Sequence, residues 1–194
     1  IVAGATFNIT AKKNGTGLDT DSMYMDQLTH LLTKEYAEEV IGRIINNKQT
    51  MNMPKLMILM DIDNFKEIND RWGHVYGDAV LGKFARLLQD NFKSRDVIAR
   101  AGGDKFLVFC DKIKDTGIAA NIAERLLKQT SGFELKENCR LQVSMGMAVF
   151  PKDGTDYSTM YRSADIALYH AKGMGNDSYY IFNNMNVNKA EINE

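Results

Sequence analysis

Between Asp26 and Lys48 the apolar residues Leu28, Leu31, Leu32, Tyr36, Val40, Ile41, Ile44 and Ile45 recur at spacings of three and four, the period of an amphipathic helix. Thr33 is a residue type that caps helices, so one helix or two remain open there. Pro54 ends the helical region. Leu56 to Ile62 is apolar on both faces, which predicts a central strand. A second stripe, Val80, Leu81, Phe84, Leu87, Leu88 and Phe92, predicts a helix between Asp78 and Phe92. The β-prone runs Val97 to Arg100 and Phe106 to Cys110 flank the glycines of Ala101-Gly102-Gly103-Asp104-Lys105, and so read as a hairpin. A helix around Ile118 to Gln129, a strand from Leu141 to Phe150, a helix from Ser158 to Lys172 and a strand at Tyr179 to Phe182 complete the pattern. Interleaved helices and strands with a hairpin in the middle predict an α/β (α+β) domain. Its sheet is expected to be central, mixed and largely antiparallel, with about five strands flanked by helices.

The two ends read differently. Ile1 to Ile9 is apolar and β-prone, and residues 11–22 are rich in glycine and polar residues, the composition of a linker. Residues 1–24 are therefore assigned to an N-terminal segment and linker, 25–183 to the domain and 184–194 to a tail. The opening stretch to Lys13 resembles the last strand of a PAS sensor domain, which implies a sensor ahead of this domain in a longer protein; an unstructured chain end explains it equally well.

With 194 residues, 44% of them hydrophobic, the chain is large enough for one well-buried core. Lys+Arg 24 against Asp+Glu 25 leaves a net charge of -1, so no basic excess points to nucleic acid. No apolar run approaches a membrane span, the longest being Leu56 to Met60, and no signal peptide is visible. Cys110 and Cys139 lie in apolar, strand-like stretches and read as small buried hydrophobes suited to a reducing cytoplasm.

Chemistry is expected where acids meet strand ends and glycine turns. Asp61-Ile62-Asp63 closes the central strand, and its two carboxylates are expected to point to opposite faces, so that only one serves a given site. Carboxylates of this kind suit Mg²⁺, although Asp63 can also be read as the cap of the following turn. Asp104 sits at the tip of the Gly102-Gly103 hairpin, where missing side chains let a bulky anion approach the backbone. If the hairpin pairs beside the central strand, Asp61 and Asp104 converge, as in sites that gather a triphosphate, metal ions and an attacking hydroxyl.

The segment Asp61-Ile-Asp-Asn-Phe-Lys-Glu-Ile-Asn-Asp70, then Gly73-His74, Gly77-Asp78 and Arg100-Ala-Gly-Gly-Asp-Lys-Phe106, resembles the core of a GGDEF (diguanylate cyclase) domain. Ser144 to Gly154, Ala164-Asp165, Ala167-Leu-Tyr169 and Ala171-Lys172 extend the likeness over Asp26 to Phe182. Many separate motifs in order are far more specific than any one. The resemblance implies a nucleotidyl-cyclase, polymerase-palm-like fold in a cytoplasmic bacterial signalling protein. It implies that Asp61, Asp104 and the Ile62 carbonyl hold Mg²⁺ or Mn²⁺, with Asp61 and Asp104 catalytic. Asn69 and Asp78 would recognise guanine, while Lys66, Lys172, Gly102 and Gly103 would meet the phosphates of GTP. The plainer alternatives are a loop contact for Asn69, a helix N-cap for Asp78 and solvated lysines.

Two positions depart from that pattern. The family's fourth motif residue is a glutamate associated with metal binding, and here it is Lys105; a basic residue that helps hold phosphate is replaced by Asn176. Two unit charges about 5 Å apart at an effective dielectric near 20 interact by roughly 3 kcal/mol, and a divalent ion doubles that. The expected function is therefore a GTP-binding domain in which conversion of two GTP to cyclic di-GMP and two pyrophosphates is weak or lost; the alternative is a competent cyclase acting as a homodimer. The family's product-inhibition motif, Arg-x-x-Asp, is Lys93-Ser94-Arg95-Asp96 here. Lysine lacks the arginine fork, so feedback binding of cyclic di-GMP through Lys93 and Asp96 is expected to be weak.

Overall fold

The computed structural model describes residues 24–115 and 117–182. The expected N-terminal segment, apart from Tyr24, and the expected tail lie outside the described residues. The elements run β1 (Leu32–Thr33), α1 (Lys34–Ile45), β2 (Lys55–Ile62), α2 (Phe65–Trp72), α3 (His74–Asn91), β3 (Val97–Gly102), β4 (Lys105–Cys110), α4 (Ile118–Ser131), β5 (Val143–Phe150), α5 (Tyr157–Met174) and β6 (Tyr179–Ile181).

The sheet has six strands in the order β1-β3-β4-β2-β5-β6. The expected central strand is β2, antiparallel to both β4 and β5, while the two edge strands join in parallel. Every residue of β2 and β5 is buried, as befits strands with helices over both faces. Alternation divides their side chains cleanly. Leu56, Ile58, Met60 and Ile62 face α3 and α4, where the Phe84 and Phe106 rings meet edge to face with centroids 4.9 Å apart. Met57 and Leu59 face α1 and α5. Helix α5 lies so close to β5 that a Cβ on Gly146 would stand 2.1 Å from the Ala164 carbonyl oxygen and from the Leu168 nitrogen.

Several boundaries differ from expectation, each for a local reason. Leu32 and Thr33 pair with Ala99 and Arg100, so the sheet gains a sixth strand and the helix starts at Lys34. Thr33 caps it, its Oγ1 accepting the Tyr36 N–H at 3.4 Å. Helix α2 was not expected because only Ile68 of it is buried, too little for a stripe. Gly73, at φ 84°, separates α2 from α3, and α3 begins at His74 rather than Asp78. Asp156 starts α5 with a capping box, accepting the Thr159 N–H at 2.9 Å while Thr159 Oγ1 accepts from Asp156 N. Cys110 is buried in β4, and that burial pushes its thiol pKa up. Cys139 is half-buried and lies outside any strand. Among the described residues no helix is long and apolar enough to cross a membrane.

Candidate functional site

The antiparallel register of β2 sets Asp61 opposite Lys105 on one side and Ser144 on the other. Directly paired residues share a face with Cβ atoms about 5 Å apart, so Lys105 stands on the Asp61 face of the sheet. Asp61 is buried, and the Lys172 ammonium from the last turns of α5 reaches it, Nζ to Oδ1 2.8 Å. Lys172 itself is 44% exposed at its side chain, so it links the buried acid to the solvent-facing edge of the site. Asp104 turns back beside them, its carbonyl accepting the Ile62 N–H at 3.3 Å. Burial, then the Asp61 charge, raises the Asp104 carboxyl above its ordinary range, against the pull of Lys172 and Lys105. Asp61, Asp104, Lys105 and Lys172 thus form one cluster: two acids faced by two ammonium groups.

The turn that presents Asp104 is held from behind. Arg100 donates from Nε and Nη2 to the Gly103 carbonyl at 2.9 and 2.8 Å. Its Nη1 meets both carboxylate oxygens of Asp26 at 3.2 and 3.1 Å. Asp26 in turn accepts from the Thr29 amide and hydroxyl. Gly102 and Gly103 have φ 127° and 55°, and a Cβ built on either meets nothing within 4 Å. Backbone conformation requires them, and the space beside them is open.

Asp63 does not serve the cluster. Residues two apart in a strand share a face, and Ser144, directly opposite Asp61, reaches Asp63, so the expectation that the two carboxylates point to opposite faces does not hold. Asp63 lies past the end of β2 and accepts the Ser144 hydroxyl at 2.7 Å and the Asp177 N–H at 2.8 Å. It is a buried strut for the loop that leaves α5, rather than a cap of the following turn. Asn176 in that loop donates to the Gln142 side chain at 3.4 Å. A serine within the apolar run of β5 was the available signal for this strut, since a buried hydroxyl needs a partner.

Helix α2 follows directly from β2 and carries Lys66, exposed in its first turn, and half-buried Asn69. Asp78 is exposed in α3, one turn in, so it is not an N-cap; Gly73 holds that place. Buried Gly77 sits between the two helices, where a Cβ would fall 2.0 Å from Asn69 Oδ1 and 3.2 Å from Phe65 Cζ. The missing side chain lets the Asn69 amide lie against α3 at Gly77, the residue before Asp78. Glu137 clasps the same junction, accepting from the Trp72 indole at 3.3 Å and pairing with Arg71. Nothing in the sequence pattern singled out Glu137, because its partners lie far away in the chain.

Lys93 and Asp96 occupy the turn before β3. Asp96 Oδ2 accepts the Lys93 N–H at 2.9 Å, and the Asp96 N–H returns to the Lys93 carbonyl. Burial raises the Asp96 carboxyl above its ordinary range despite its backbone donors and neighbouring cations.

Among the described residues no group of three or more His, Cys, Asp or Glu is arranged to hold a metal ion. A magnesium pair needs oxygen ligands and negative charge, whereas here one acid is already paired with Lys172, Asp63 is engaged elsewhere and Lys105 adds positive charge. As they stand, these residues do not fit such a pair.

Residues 23–178 match the family model described as diguanylate cyclase, GGDEF domain. The chain is 32% identical over 169 residues to the bifunctional diguanylate cyclase/cyclic di-GMP phosphodiesterase MucR of Pseudomonas aeruginosa, covering 86% of this chain and 24% of MucR. It is 35% identical over 155 residues to diguanylate cyclase DosC of Escherichia coli, covering 78% of this chain and 33% of DosC. The chain thus spans about a quarter to a third of these relatives. A solved microbial GGDEF domain, described for its interaction with cyclic di-GMP, superposes with a TM-score of 0.70 at 31% identity, covering 81% of this chain and 96% of that one.

Proposed function

Because the chain belongs to the GGDEF family of diguanylate cyclase domains, we propose that it is a signalling domain that binds GTP and converts it weakly or not at all. The observation that carries this reading is the pairing of Lys105 with Asp61 across β4 and β2. It sets an ammonium where the family's chemistry needs an acid. In this reading Asn69 and Asp78 hold the guanine edge, an amide and a carboxylate matching its donors and acceptors. Lys66, Lys172 and the open Gly102-Gly103 turn receive the triphosphate. A base-reading pocket of this kind rejects adenine strongly, because the wrong base leaves its polar groups unpaired.

A competent cyclase is the second reading, favoured by the retention of Asp61 and Asp104 side by side. There the 3′-hydroxyl of one GTP attacks the α-phosphate of another across a homodimer, and two such steps release cyclic di-GMP and two pyrophosphates. That reading requires Lys172 to leave Asp61, so that Asp61, Asp104 and the Ile62 carbonyl can hold Mg²⁺ or Mn²⁺. Around either reading we place a domain over residues 25–183 of a longer cytoplasmic protein, with a sensor ahead of it and no role in binding nucleic acid or membrane. Weak cyclic di-GMP binding at Lys93 and Asp96 belongs to the same proposal, since Asp96 already serves its own turn.

Titration calorimetry with GTP and ATP tests the binding reading. GTP is expected to bind and ATP to bind far more weakly, and Asn69→Ala to remove the preference. Equal affinity for the two nucleotides, or an Asn69→Ala variant that binds GTP unchanged, refutes the guanine assignment. Chromatography of the products after incubation with GTP and Mg²⁺ or Mn²⁺ separates the weak from the competent reading.

A further inference from the structure

We propose that this site takes GTP as the free nucleotide, its triphosphate held by Lys105 and Lys172, with no requirement for a divalent cation. The inference rests on the GTP-binding reading above and deepens it. Divalent ions in a nucleotide site make negative phosphates tolerable beside negative carboxylates. Here Asp61 and Asp104 are already faced by two ammonium groups. Lys172 lies on buried Asp61 at 2.8 Å, and Lys105 is set opposite Asp61 by strand register, next to Asp104. Asp63, the remaining nearby acid, is held by Ser144 and Asp177. Asp61, Asp104, Lys105 and Lys172 are two acids and two cations, so these four side chains balance and only Asp63, spent on two neutral donors, adds negative charge beside them.

The same geometry leaves donors available to phosphate. An ammonium has three donors, and Lys172 directs one at Asp61, leaving two for oxygens above the sheet end. Lys105 is exposed at the start of β4, immediately after the turn where Gly102 and Gly103 leave open space. Mg²⁺ bound to GTP cancels two of the negative charges these lysines would meet. A cation cradle therefore gains nothing from the metal, whereas a site with an acid at 105 depends on it.

The test is titration of the whole chain with GTP in a chelating buffer and again in excess Mg²⁺. The dissociation constant in chelator is expected to equal or fall below that in Mg²⁺. In Lys105→Glu the order reverses, with affinity in chelator dropping by about tenfold or more and Mg²⁺ restoring it. Lys105→Gln, which adds no negative charge, is expected to lose part of the chelator affinity without gaining a response to Mg²⁺. If the parent chain binds GTP only with Mg²⁺, the inference is overturned while the guanine-binding reading stands. If it binds GTP under neither condition, both fall.

Discussion

Replacing Gly77 by alanine separates folding from nucleotide recognition. A Cβ there would stand 2.0 Å from Asn69 Oδ1, 3.0 Å from Asn69 Cγ and 3.2 Å from Phe65 Cζ, whereas carbon contacts are comfortable at about 3.5 Å or more. The Asn69 amide is the end of a short side chain on a half-buried face, so it can swing away; the Phe65 ring needs to give only a few tenths of an ångström. Alanine also favours the helix by about 1 kcal/mol over glycine, so the melting temperature is expected to change little. Recognition should suffer instead. Losing a hydrogen bond to a desolvated base costs about 1–3 kcal/mol, which is about five- to 150-fold in dissociation constant. Calorimetry with GTP and ATP beside thermal melts reads both quantities. Because Gly77→Ala and Asn69→Ala remove the same contact, the double variant should bind no worse than the weaker single one. A Gly77→Ala variant that keeps both its stability and its GTP affinity would refute the placement of Asn69 as the base reader.

The other predictions concern the turn, the packing and the reaction. Arg100→Ala and Asp26→Asn should each lower stability by about 1.5–3 kcal/mol, the range for a charge-assisted bond with little exposure. Burial raises the Asp26 pKa, but the Thr29 bonds and Arg100 outweigh it and leave the net value below the ordinary one. Its contribution is therefore present above about pH 4 and lost as pH falls through the depressed folded value, so the melting difference between Asp26→Asn and parent should close in acid. Gly146→Ala should destabilise the fold by about 3 kcal/mol or prevent folding, because the clash is with α5 backbone; a denaturant midpoint close to that of the parent would contradict it. Lys105→Glu should raise cyclic di-GMP production to a readily measured level, Asp104→Ala in that background should abolish it, and adding Asn176→Arg should help further; a parent chain already as fast as Lys105→Glu would overturn the charge argument.

The continuous apolar runs of β2, β4 and β5 were legible because nearly every residue there faces one of two cores. The same logic hid β1 and α2. Leu32 and Thr33 sit between a turn and a helix, too short for a period of two to emerge, and their strand character comes from Ala99 and Arg100, far along the chain. Helix α2 buries only Ile68, so its existence depends on its position between β2 and α3 more than on a stripe. At the site, Asp61, Asp104 and Lys105 were readable as chemistry, since acids at strand ends and glycine turns are uncommon company. The roles of Gly77, Ser144 and Glu137 were not. Each acts through partners that only the fold brings near, and apart from a hydroxyl in the apolar run of β5 no local pattern advertises such a contact.

The cluster's charges and its scaffold are set by different residues, and that separation explains how a lysine fits at 105. Arg100 and Asp26 fix the turn through the Gly103 carbonyl, Ser144 and Asp63 fix the loop after α5, and Gly77 seats Asn69. None of these contacts touches the Lys105 side chain, which is exposed at a strand end where both charge signs are readily solvated. A change there leaves the architecture intact while altering the field at Asp61 and Asp104, both held close to it by register. Lys172 strengthens the effect, because its ammonium already neutralises the more deeply buried acid. In the proposed reading position 105 therefore shifts the site's charge balance, and with it the expected choice between metal-assisted chemistry and simple retention of a nucleotide, on a frame that stays the same in either case.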